Sequence, residues 1–361
     1  MEALWAWATG LFGGAPAASD LVTLTTWNVA AVNNNPFEYW ASHPDPAYKQ
    51  LMEGVQAVVD APGAADVPVS SVLTPPMVSR LRGAMLGAGW AEAEVEAACG
   101  IWETEYASRP IVSGFLKDKA VGSKRLASMP DRVTNTIGLA GGGAALRPAV
   151  TNAYEGPLGD TGEWFEAWLE FIFGGEPLGL PGKGAGSEVR ARPCELLVPV
   201  RRAKYPDVTA EEEACSVPLQ ALALAAFDAA MLHVLGAASP GGGWAGIKLS
   251  LCEALVTGKA ARTAKALATG ALGAGADVIA LQEVSGSLLR LLEEEMPGWH
   301  CLRPAAFAAG RDQNSVVLVR RASRFDPASA RELDVAGRVA AAAADMLSAL
   351  CAACPEDEAW E

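Results

Sequence analysis

With 361 residues, 51% hydrophobic and 7% aromatic, the chain has ample material for a packed core, and disorder throughout is excluded. That length calls for one large elaborated domain or two smaller ones. A net charge of −14 sets an average field that repels a phosphate polyanion, so nucleic acid is a disfavoured partner.

Residues 1–20 form an apolar N-terminal segment in which Trp5, Trp7, Leu11 and Phe12 precede Ala15-Pro16-Ala17-Ala18. Glu2 stands where a secretory signal carries basic residues, which favours a frayed or packed amphipathic segment over a cleaved leader. No window offers the ~20 uninterrupted apolar residues of a membrane span, so a soluble protein in the cytoplasm or another intracellular compartment is expected.

Val22, Leu24 and Trp27 lead up to Asn28 and predict a first strand over about 21–29. The strand exits through the turn-prone Asn33-Asn34-Asn35-Pro36. Residues 36–243 then read as a mostly helical insertion or cap subdomain. Leu51, Val55, Val58 and Val59 share one helix face, and Thr74-Pro75-Pro76 opens a second helix. Val95, Ile101, Trp102 and Tyr106 mark a third, stopped by Pro110. Trp164, Phe165, Trp168, Leu169, Phe171 and Ile172 follow Asp160-Thr161-Gly162-Glu163. Their helical spacing points to buried core rather than a nucleobase-stacking platform.

Gly141-Gly142-Gly143, the stretch 174–186 and Gly241-Gly242-Gly243 read as loops. Gly182-Lys183-Gly184 lacks the upstream glycine and following Ser or Thr of a phosphate-binding loop. The basic stretches around Lys117–Arg132 and Arg190–Lys204 read as solvated loop charge. Seven scattered cysteines suit reduced thiols, and Cys351-Ala-Ala-Cys354 has no second pair to complete a zinc site.

Helices are expected near 218–235 and 246–271. Val278, Ile279, Ala280 and Leu281 then form a strand ending in Gln282-Glu283, followed by a helix at 287–296. Two further strands are predicted at 299–302 and 314–319, and a last helix at about 328–353.

The pair Trp27-Asn28 and Leu281-Gln282-Glu283 resembles the first two motifs of the endonuclease/exonuclease/phosphatase superfamily, the DNase-I-like fold. The resemblance covers about 21–35 and 277–321. It implies an α/β architecture in which 21–35 and 244–361 make a partial DNase-I-like layered sandwich, interrupted by the helical insertion. It further implies a divalent-metal-dependent phosphoric ester hydrolase, with Glu283 holding Mg2+ or Mn2+ and Asn28 orienting metal or phosphate.

In place of the family's Asp-x-Asn stands Asp312-Gln313-Asn314, but here the apolar run follows the motif instead of leading into it. Asp312 and Asn314 are therefore disfavoured as ligands. No Ser-Asp-His string supplies the catalytic histidine, and His300, between Trp299 and Cys301, lacks an acidic neighbour. The chain thus reads as an incomplete member, weakly active or inactive, with a small phosphoester or lipid headgroup favoured as substrate over nucleic acid. The alternative is a fold-only binding module or degenerate fragment.

Overall fold

The computed structural model describes residues 21–32, 37, 45–141, 143–182, 187–308, 313–333 and 343. The fold is mixed α/β, about half helical, with a small four-stranded sheet. It divides into two compact units, Asn33–Lys259 and the combination of Met1–Val32 with Ala260–Glu361. Residues 244–259, expected with the sheet, belong instead to the helical unit, because Trp244, Ile247 and Leu251 are buried in that unit's core.

The elements in chain order are β1 (Leu24–Asn28), α1 (Pro46–Asp60), α2 (Pro75–Gly87), α3 (Glu92–Ile101), α4 (Lys119–Ser123), α5 (Ser128–Thr134), β2 (Thr136–Gly138), β3 (Ala144–Leu146), α6 (Thr161–Phe173), β4 (Leu178–Pro181), β5 (Glu188–Ala191), α7 (Ala210–Ala214), α8 (Ser216–Ala238), α9 (Trp244–Cys252), α10 (Lys259–Thr269), α11 (Ala271–Ala274), β6 (Val278–Val284), α12 (Gly286–Glu295), β7 (Trp299–Leu302) and β8 (Asn314–Arg320).

The helical unit is built around α8. Its sequence is apolar on every side, as a helix surrounded by protein requires. It is also the one helix among the described residues long and apolar enough to cross a membrane, and 67% of its most apolar window is buried inside the protein. Helices α1, α3 and α5 pack against it. Gly54 of α1 permits the closest approach: a Cβ there would meet the Ala238 carbonyl oxygen at 2.9 Å. Asp160 caps α6 by accepting the Glu163 N–H, and Trp164, Phe165, Trp168 and Ile172 are buried behind it. Past α3, a widened π-type turn at Trp102–Tyr106 stacks those two rings at 5.8 Å within the same core.

Charged side chains are enclosed with the apolar ones. Arg147 is 0% exposed; its Nε donates to Asp228 Oδ2 at 2.7 Å and one terminal nitrogen to Asp228 Oδ1 at 3.1 Å. The same guanidinium reaches Asp131 at 2.6 Å and Thr134 Oγ1 at 2.8 Å, while Trp168 Nε1 donates to Asp228 Oδ2 at 2.9 Å. Elsewhere Glu212 accepts from Tyr106 at 2.6 Å, Lys124 at 2.7 Å and the Thr209 N–H at 2.9 Å. Burial works to raise the Glu212 carboxyl's pKa, but Lys124, the Thr209 N–H and the Tyr106 hydroxyl outweigh it and hold it below the usual range.

Two short hairpins are present, one turning at the glycine run expected as a linker or turn and one starting inside the stretch expected as a loop. β2 and β3 pair antiparallel on either side of the Gly141–Gly143 stretch, with Gly143 at φ +78. β4 and β5 pair within and beyond the Gly/Pro-rich stretch. Their brevity leaves no apolar alternation to read. The single helix expected at 246–271 is broken: α9 ends in a π-type turn at Glu253–Thr257, and α10 starts after Gly258. Leu251 of α9 lies in the helical unit's core, and Ala264 and Leu267 of α10 lie in that of the sheet unit.

In the other unit the strand order is β1-β6-β8-β7, with β1 parallel to β6 and the remaining pairs antiparallel. Ala264 and Leu267 of α10 and Leu288, Leu289 and Leu292 of α12 pack with Ile279, Leu281, Val316 and Leu318 of the sheet. Leu24, Thr26 and Asn28 lie exposed on the opposite face. Of the helix expected at 328–353, Pro327–Ser329 form a 3-10 turn and residues 330–333 are not helical. The rest, apart from residue 343, lies outside the described residues, as does the N-terminal segment 1–20.

Removing Arg147 leaves Asp228 buried without its counter-charge. Arg147→Ala is expected to lower stability by about 3–5 kcal/mol, read as a shift in the urea midpoint at unchanged slope; a loss under about 1 kcal/mol would refute the network's role. The Glu212 carboxylate stabilises the fold above its unfolded pKa of about 4.3, and that contribution is lost as pH falls through the lower folded value. The stability gap between wild type and Glu212→Gln should therefore be widest near neutrality and narrow in acid. A gap constant from neutrality to pH 3 would contradict this.

Candidate functional site

Parallel pairing places the carboxyl ends of β1 and β6 side by side, with Asn28 opposite Gln282. Beyond the strands the pairing continues, Val29 N–H to the Gln282 carbonyl and Ala31 N–H to the Glu283 carbonyl, both at 3.0 Å. Such strand ends are where open α/β sheets commonly place ligands. Here Asn28 Nδ2 donates to Glu283 Oε1 at 2.9 Å, and Asn28 Oδ1 accepts from the Ala30 N–H at 3.1 Å. The two residues singled out from opposite ends of the sequence are thus in direct contact.

A β-bulge produces that contact. Leu281 pairs with Val316, but Val284 pairs with Asn314, so β6 holds one more residue than β8 across this stretch. Strict alternation would send Glu283 to the helix-covered face beside Leu281. The extra residue returns Val284 to the core and swings Glu283 toward Asn28 on the open face. Glu283 adopts φ +56 and Ala30 φ +41, two of the three non-glycine residues with positive φ among those described. Each left-handed residue costs roughly 1–2 kcal/mol, and strain of this kind gathers at functional positions.

The other expected candidates are placed differently. Asn314 is buried opposite Val284; it accepts the Ala308 N–H at 3.1 Å and donates to the Val284 and Ala308 carbonyls at 3.2 and 3.1 Å. Its amide ties a loop to a strand end. Asp312 lies outside the described residues. His300 pairs with Val319, which pairs with Val278, at the far end of β6 from Glu283. Strand rise and spacing separate it from Glu283 by roughly 19 Å, so it cannot exchange a proton there.

The described residues contain no group of three or more His, Cys, Asp or Glu side chains arranged to hold a metal. Mg2+ is commonly held by one or two carboxylates together with substrate phosphates and retained waters. Glu283 meets the lower end of that requirement. Asn28 donates its amide N–H to this carboxylate, and its amide oxygen accepts from the Ala30 N–H. The bulge is absent from the sequence expectations, yet its signal is there. Gln282-Glu283 puts two polar residues between Leu281 and Val284, one too many for alternation. Glycine relieves a left-handed backbone, so Ala30→Gly should raise stability by about 1 kcal/mol in chemical denaturation. A destabilised variant would show that the turn carries no strain.

No curated protein and no solved structure matches the chain. A family model does, over residues 66–249, which lie wholly within the helical unit and include neither Asn28 nor Glu283. That match covers just over half of the chain, which therefore belongs to the family described as Domain of unknown function (DUF8234).

Proposed function

We propose that the sheet unit is a partial DNase-I-like core whose strand-end corner engages a phosphoester together with a divalent cation, Mg2+ or Mn2+. The observation that carries this reading is the Asn28–Glu283 hydrogen bond at adjacent parallel strand ends, with the backbone on both sides turned through left-handed conformations. Glu283 would hold the ion, and Asn28 would fix the rotamer of the carboxylate. Once bound, such an ion polarises a phosphoryl oxygen and offsets charge developing on it. The net charge of −14 favours a small phosphoester or lipid headgroup over a polynucleotide.

Proton transfer is the weak step. The chain contains no Ser-Asp-His string, and His300 lies at the wrong end of the sheet. Lack of a placed acid–base group commonly costs about 10²–10⁴ in rate. The reading is therefore of a phosphoester-binding corner with slow hydrolysis at most.

The test compares wild type, Glu283→Gln and Asn28→Ala for Mn2+ binding by electron paramagnetic resonance, with and without a phosphodiester. Hydrolysis of bis-p-nitrophenyl phosphate is followed in parallel. Glu283→Gln should weaken Mn2+ binding at least tenfold, and Asn28→Ala should weaken it less. Equal Mn2+ affinity in all three proteins would reject the reading, as would turnover that does not depend on Glu283.

A further inference from the structure

The far end of the same sheet carries a second cluster that the proposed function does not use. A cavity of about 450 Å³ lies between the end of α12 and β7, lined by Glu293, Met296, His300, Arg303, Leu318 and Arg321 among others. Its accessible apolar lining comes from Pro297 and Trp299, with Met296 and Leu318 largely buried in the core. Its polar wall is mainly basic, in a protein whose overall charge is strongly negative.

The basic groups differ in how they are partnered. Arg303 is ion-paired with Glu293. Arg321 makes no ion pair among the described residues: its Nε donates to the Pro297 carbonyl at 3.0 Å, and one terminal nitrogen faces His300 Nε2 at 3.5 Å. The guanidinium and the imidazole thus lie side by side at the cavity. An anion seated against both accepts a charge-assisted hydrogen bond from the guanidinium and another from an imidazole N–H. The guanidinium, always charged and forked, suits a phosphate head, and the adjoining apolar wall suits a hydrocarbon body.

We infer that the cavity bounded by α12, β7 and Arg321 is a binding site for a small organic phosphate monoester. Arg321 and His300 hold the phosphate, and Pro297 and Trp299 contact the apolar group. A dianionic head answers two basic groups better than a carboxylate does, and a cavity of this size admits a ligand of a single ring or short chain rather than a polymer. This site is separate from the Asn28–Glu283 corner and needs no cation.

Isothermal titration calorimetry of the full chain, without divalent metal, tests the assignment with phenyl phosphate, benzoate and inorganic phosphate as probes. Phenyl phosphate should bind saturably and more tightly than either of the others. Arg321→Met and His300→Gln should each weaken it at least tenfold, whereas Glu283→Gln and Arg324→Met, at an arginine that does not line the cavity, should leave it within twofold. His300→Gln keeps the test open if Arg321→Met fails to fold. Absence of saturable binding to wild type, a preference for benzoate, or equal weakening by Arg324→Met would overturn the inference.

Discussion

Asp228, a carboxylate on a helix surrounded by protein, sets the terms for the helical unit. Leaving it unpaired at that depth would cost several kcal/mol, and the unit is arranged so that this does not happen. Arg147 follows directly on β3 and spans from Asp228 to Asp131 and Thr134 of α5, while Trp168 of α6 supplies a further donor. Asn152 then donates to the Arg147 and Asn135 carbonyls, fixing the backbone that presents the arginine. One buried charge thereby ties α5, α6, α8 and the end of β3 into a single arrangement. Apolar contacts supply most of the energy of such a core, but they tolerate repacking; bidentate bonds to a carboxylate do not.

The sheet unit follows the opposite logic, with strain concentrated at its strand ends. Its covered face is an ordinary layer of leucine, isoleucine and valine against two helices. At the carboxyl ends of β1 and β6 the chain instead accepts a bulge and two left-handed residues, and the outcome is a carboxylate oriented by an amide on the open face. The same bulge returns Val284 to the core, so core packing and the placement of Glu283 share one cause. At the far end of the sheet Arg303, Arg321 and His300 gather around a cavity that Glu293 also lines.

Features that were legible in the sequence are those written as periodicity or as capping chemistry. Leu51 on α1, the Trp164–Ile172 cluster behind Asp160, the apolar run of β6 and the strand Trp299–Leu302 all fall where their patterns place them. The contact between Asn28 and Glu283 was legible as an ordered pair of strand endings. The short hairpins were not, since strands of three or four residues beside glycines carry too little pattern. The Arg147–Asp228 pair was also hidden: an isolated Asp in an alanine-rich helix and an Arg before a proline give no sign that they meet. Arg321 and His300 meet only because of strand register, which a one-dimensional pattern does not encode.

The β1–β6 pairing also has a consequence in time. Asn28 of β1 meets Glu283, 255 positions later in the chain, and β1 has no other strand partner among the described residues. At typical synthesis rates the first strand leaves the ribosome on the order of 10–50 s before β6 exists. All 23 residues of α8, with its partners on both sides, emerge in that interval, so the helical unit can close its core while β1 waits unpaired. Leu21, Val22 and Leu24, still exposed in the finished protein, are a ready strand for any other edge during that wait. The order of synthesis thus gives the strand that carries Asn28 the longest wait for its partner in the sheet, and with it the longest exposure to mispairing.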